Sequence, residues 1–206
     1  MSSFDWARSV LRSAGEETWR ALFTTEWARR VRRSLADLRD WTVRVDAARL
    51  TSALARAEGV QALTATTREG ALRVDATLED GSVLRFSLRV ASIRFAGGGA
   101  KEIVFMVDPA EARERAATLA LVSCLSGLIA RLLWGRVLGP AGWEGVVPSR
   151  HEDAGLRVDL RETARARQLM RQGPRASLLD VLEVAEIELK RGSLALRLRP
   201  PAFLSR

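Results

Sequence analysis

The run Ala116–Ala130 limits this chain more than any other feature: about fifteen residues without a charge, stopped by Arg115 and Arg131. A membrane-spanning helix needs roughly twenty such residues, so the run reads as a helix buried in a protein core. Leu119, Leu121, Val122, Leu125, Leu128, Ile129, Leu132 and Leu133 leave almost no polar side, and a helix of that kind must be enclosed. Asp108-Pro109-Ala110-Glu111 supplies a start signal, with Asp as N-cap, Pro at the first helical position and Glu at the third. The helix is expected to end near Trp134, before Gly135.

What encloses it is read from the other segments. Leu72, Val74, Ala76 and Leu78 alternate with Arg73, Asp75, Thr77 and Glu79, the period of a strand with one buried face. Asp80-Gly81 then marks a tight hairpin turn. Leu84, Phe86, Leu88 and Val90 continue the inner face, but the apolar phase slips to Ile93 and Phe95, which predicts a bulge near Ala91 or Ser92 and a bent strand. Ile103–Val107 is apolar throughout and reads as a strand covered on both sides. After the Gly- and Pro-rich stretch from Gly139 to Gly155, further strands are expected at Leu156–Leu160, Leu182–Leu189 and Leu194–Leu198, with a weaker helix before the last two. The fold class is therefore α+β: a curved antiparallel sheet wrapped around one long apolar helix. A weak internal echo aligns Gly70 with Gly192, Leu72 with Leu194 and Val74 with Leu196.

Ahead of this domain, assigned to residues 46–206, residues 1–45 read as an amphipathic helical region. Trp19, Leu22, Phe23, Trp27, Val31, Leu35, Leu38 and Trp41 keep the spacing of one helical face over 16–41. Trp19 and Trp27 beside Arg29, Arg30, Arg32 and Arg33 are what a membrane-surface helix presents; the competing reading buries the tryptophans and leaves the arginines solvated. A third helix is expected over Ala47–Ala57, ending at Gly59. The opening residues interrupt any secretory apolar core with Asp, Arg and Glu, so a cytoplasmic location, peripheral at a membrane, is the expectation.

The segments from LTSALARAEG (Leu50–Gly59) through LRVDATLEDG (Leu72–Gly81) and FSLRVASIRF (Phe86–Phe95) to LLDVLEVAEIELKRGSLALRLRP (Leu178–Pro200) resemble, in that order, the bacterial branch of the tubular lipid-binding superfamily. The resemblance spans about residues 45–200 and is one of pattern, with no invariant motif to match. It implies a curved sheet holding acyl chains against a long helix.

The residues argue against an enzyme. His151 is the single histidine, Cys124 the single cysteine, and no GxSxG, Walker-type loop, HExxH or GxGxxG sequence occurs. Gly97-Gly98-Gly99 precedes a strand rather than a helix and so lacks the context of a phosphate loop. Neither a metal nor a cofactor is expected. The net charge of +8 comes from 33 basic and 25 acidic residues spread along the chain, so it is a mild bias rather than a basic block. Arg73, Arg85, Arg89 and Arg94 would contact phosphates if the fold gathered them, but Asp75, Glu79 and Asp80 interleave and no aromatic accompanies them for base stacking.

Two readings remain. In the first, a lipid or acyl chain lies in an apolar groove lined by Leu121, Leu125, Leu128, Ile129 and Leu132 of the long helix and by Phe86, Leu88 and Val90 of the bent strand. In the second, the same apolar surface meets a protein partner or another copy of the chain.

Overall fold

The computed structural model describes residues 41–68, 70–152, 155–180 and 182–199. The expected N-terminal helices, with Trp19, Trp27, Arg29, Arg30, Arg32 and Arg33, lie outside these residues.

The α+β part begins earlier than the sequence suggests. Thr42–Asp46 forms strand β1, whose Val43 and Val45 point inward while Arg44 and Asp46 face solvent. Five residues of alternation directly after a helical spacing give too short a signal to separate from it, and pairing with a distant strand fixes the outcome. Asp46 ends β1 and caps helix α1 (Ala47–Leu54), its carboxylate accepting from the Arg49 N–H at 2.8 Å. Helix α1 is three residues shorter than expected and buries Leu50 and Leu54.

Strands β2 (Val60–Arg68), β3 (Ala71–Leu78), β4 (Val83–Phe95) and β5 (Lys101–Asp108) form an antiparallel meander. Its register slips between Val90 and Ser92, the predicted bulge. Strand β5 buries Ile103, Val104, Phe105 and Val107, as a strand covered on both faces must. Strands β6 (Ser149–Arg150) and β7 (Gly155–Asp159) complete a six-stranded sheet in the order β2-β3-β4-β5-β7-β6. A separate three-stranded sheet, β1-β9-β8, is built from β8 (Glu183–Lys190), β9 (Ser193–Arg199) and β1. On the outer edge of β2, the Thr51 hydroxyl of α1 both accepts from the Ala65 N–H and donates to the Ala65 carbonyl, at 3.3 Å each, satisfying groups that an open edge would leave unpaired.

The long helix is α2, Ala116–Leu138. Its start differs from the Asp108-Pro109 signal. The chain first makes a 3₁₀ turn over Ala110–Glu114, Arg115 is extended, and the Arg115 guanidinium donates to the Val83 carbonyl, pinning the junction to β4. Its end lies past Gly135, which is helical, because Val137 and Leu138 still have core to fill. By length and composition α2 would cross a membrane, with mean hydropathy 1.9, yet 56% of that stretch is buried against the chain itself. It shares one hydrophobic core with the inner faces of both sheets. A short helix, α3 (Ala164–Met170), capped by Thr163, and a 3₁₀ segment, Gly173–Asp180, lead into β8.

The internal echo has a structural counterpart. Thr67 pairs with Leu72 in one hairpin as Leu189 pairs with Leu194 in the other, and the turn residues Gly70 and Gly192 both hold positive φ, 75° and 80°. The two turns meet reciprocally. Gly70 N–H donates to the Leu189 carbonyl at 2.9 Å, and Gly192 N–H donates to the Thr67 carbonyl at 3.4 Å. Each glycine therefore bonds the residue that occupies, in the other hairpin, the place three before its own turn glycine.

Candidate functional site

The groove expected beside α2 is filled by the chain. Leu121, Leu125, Leu128 and Ile129 are buried, as are Phe86 and Leu88; Leu132 and Val90 are half-buried. Two covers that leave no periodic trace in the sequence account for this. The loop after α2 folds back over it, and Trp143 stacks on Trp134 with ring centres 5.4 Å apart. Trp143 is fully buried and its indole N–H donates to the Gly139 carbonyl at 2.7 Å. The approach is close enough that a Cβ on Gly127 would stand 2.9 Å from the Trp143 carbonyl oxygen, so only glycine fits there. The second cover is the 3₁₀ segment before β8, whose Leu179 carbonyl accepts from the Trp134 indole at 3.1 Å.

That second cover is tied down by a buried ion pair. Lys101 Nζ lies 2.5 Å from Asp180 Oδ1, with side chains only 1% and 6% exposed. Lys101 also donates to the Ala96 carbonyl at 2.8 Å, and the Gly98 N–H donates to Asp180 Oδ2 at 2.7 Å. The Gly97–Gly99 turn thus spends a backbone donor on the protein's own carboxylate. Nearby, burial raises the Asp159 carboxyl, but the Arg161 guanidinium and the backbone N–H groups of Arg161 and Lys101 outweigh it and hold Asp159 below the usual carboxylate range. These charged groups were not singled out from sequence, where a lone lysine at the start of an apolar strand looks like any solvated cation.

An opening does exist, in the seam between the two sheets. Gly70, Val90 and four consecutive residues of β8, Glu186, Ile187, Glu188 and Leu189, line a cavity of about 300 Å³ that is open to solvent. It borders the β4 bulge, just past the half-buried Val90, and β8, an edge strand of its sheet among the described residues. Of the eight residues expected to line a groove, this cavity uses Val90. Ile187 and Leu189 supply apolar walls. Glu188 is held ionised, below the usual range, first by its hydrogen bond with Lys190 and then by the Lys190 and Arg197 charges. Glu186 pairs with Arg197 at 3.4 Å.

The remaining candidates are placed as follows. The His151 N–H donates to the Gly155 carbonyl at 2.9 Å in the turn joining β6 to β7. Cys124 is half-buried on α2, and burial pushes its thiol up, away from the thiolate a nucleophile needs. Among the described residues no group of three His, Cys, Asp or Glu gathers to hold a metal. Arg73 and Arg85 converge on Asp75, each at 3.4 Å, while Arg94 lies beyond the bulge opposite Glu102. Comparison of the chain with protein-family models, curated proteins and solved structures finds no match.

Proposed function

We propose that this protein is a non-enzymatic binder of a small apolar ligand, held in the seam between its two sheets rather than along the long helix. The observation that carries this is the cavity of about 300 Å³ at Gly70, Val90, Ile187 and Leu189, at the lower end of the range of ligand sites, which run from roughly 300 to 1,000 Å³. It lies between the bulged part of β4 and β8, so the apolar side chains of Val90, Ile187 and Leu189 border one space. The carboxyl groups of Glu186 and Glu188 at its border, the latter held below the usual range, select against a free fatty acid and favour a neutral acyl chain with an ester or hydroxyl head. The pattern-level resemblance to tubular lipid-binding proteins points to the same ligand class.

The test is an NMR titration of the full chain with monooctanoylglycerol and with octanoate, joined to mass spectrometry of an organic extract of the purified protein. The expected result is a shift of the Val90, Ile187 and Leu189 methyl signals by the ester, a weaker response to octanoate, and loss of both in Val90→Trp. Undisturbed methyl signals at millimolar ester, together with an extract free of acyl compounds, would overturn the proposal.

A second reading is favoured by one further observation. Leu119, Ala120 and Cys124 are half-buried apolar residues on the first half of α2, suited to a second copy of the chain. A solution mass that is a multiple of 22.7 kDa and falls in Ala120→Glu would favour assembly over ligand binding.

A further inference from the structure

The outward side of β2–β4 carries Arg68, Arg73, Arg85 and Arg89, all exposed, against one carboxylate on the strands among the described residues, Asp75. Asp75 is shared by Arg73 and Arg85; Arg68 and Arg89 have no carboxylate partner among the described residues. Between them stand the hydroxyls of Thr64, Thr66 and Ser87, with Thr66 and Ser87 flanking Arg73 in register. Asp108 sits at the rim, where its main-chain carbonyl accepts from Ser87.

The second hairpin shows what an ion-paired version of this surface looks like. Counted back from the turn glycines, Thr64 and Thr66 occupy the places of Glu186 and Glu188. Across the strands those glutamates pair with Arg197, and Glu183 pairs with Arg199; along β8 itself Glu188 also pairs with Lys190. One hairpin pairs Lys190, Arg197 and Arg199 with glutamates; its counterpart has hydroxyls at the places of two of those glutamates.

We propose that this arginine face docks on an anionic phospholipid bilayer. The guanidinium is a planar fork that grips phosphate oxygens two at a time, the neighbouring hydroxyls add donors to the same oxygens, and a broad sheet face suits an extended surface. Single-stranded nucleic acid, the other polyanion, is recognised with aromatic platforms for base stacking, and the outward positions of β2–β4 hold none. The surface is formed by the outer side of the sheet and does not depend on the seam being a ligand site.

The test is sedimentation of the full chain with vesicles of phosphatidylcholine alone and of an equal mixture of phosphatidylcholine and phosphatidylglycerol. Binding to the mixture alone, weakening with added salt, is expected. Thr64→Glu/Thr66→Glu, which grafts the other hairpin's carboxylates onto exposed positions, should weaken it about twenty-five-fold, from about five-fold per charge near such a surface. Arg89→Gln, with no ion pair to break, should weaken it about five-fold. Arg44→Glu on β1 changes the net charge by the same two units as the double variant, but on the other sheet, and should leave binding nearly intact. Thermal melting establishes that each variant is folded. Equal pelleting with both vesicle types, equal losses in Arg44→Glu and the double variant, or tight binding to a single-stranded oligonucleotide without pelleting on vesicles would each overturn the proposal.

Discussion

The β2–β3 and β8–β9 hairpins share a register, a turn glycine and an inward apolar pattern, yet the fold uses them differently. The first is embedded in a six-stranded sheet, with α1 covering its free edge. The second belongs to a three-stranded sheet and leaves the edge of β8 open to the seam cavity. Similar local sequence therefore fixes the hairpin itself. Its environment is decided by what precedes it, α1 in one case and a 3₁₀ segment anchored by Asp180 in the other.

Breaking that anchor should have the largest effect. Lys101→Met leaves the Asp180 carboxylate buried without its partner, which typically costs about 3–5 kcal/mol. Chemical denaturation should register the loss, and amide exchange should show β8 and β9 loosening before β2 and β3. Uniform loosening of both hairpins would mean that the pair stabilises the whole core rather than the second hairpin.

The turn glycines probe the likeness itself. Each has positive φ and empty space where a Cβ would stand, so Gly70→Ala and Gly192→Ala should each lose about 1–2 kcal/mol through backbone conformation alone. Costs differing by much more than that would show that the two turns are not equivalent.

The smallest effect separates the hairpins by pH. Lys190 and Arg197 depress the Glu188 carboxyl in the folded state. The stability this adds is present above the unfolded value of about 4.3 and is lost as pH falls through the lower folded value. Opening free energies from amide exchange, corrected for the intrinsic rate at each pH, should therefore fall more steeply between pH 5 and pH 3 in β8–β9 than in β2–β3, where Thr66 replaces that glutamate. Glu188→Gln should remove the difference.

Much of this architecture could be read from side-chain spacing, because the period of two, the Asp80-Gly81 turn and the phase slip before Ile93 are local signals with local causes. The core helix was legible for the same reason, though its first turn was not. An Asp-Pro start competes with the tether from Arg115 to Val83, a contact between residues far apart in sequence. The residues expected to line a groove lie against the core, and the covers over them depend on Trp143 reaching Gly127 and on the 3₁₀ segment reaching Trp134. Neither loop has a periodicity that reports its destination. The seam cavity was hidden for a related reason: Ile187 and Leu189 were legible as strand residues, but not the second sheet edge facing them.

The pairing of β1 with β9 sets Thr42 opposite Arg197, so the segments entering and leaving the described domain emerge side by side. A pull applied through those two segments would load the hydrogen bonds of this ladder one after another, like a zipper opened from its end, and not in parallel as in shear. The three-stranded sheet is thus the mechanically soft element of the molecule, and traction from a tethered neighbour would peel away β1 while the six-stranded sheet stayed whole.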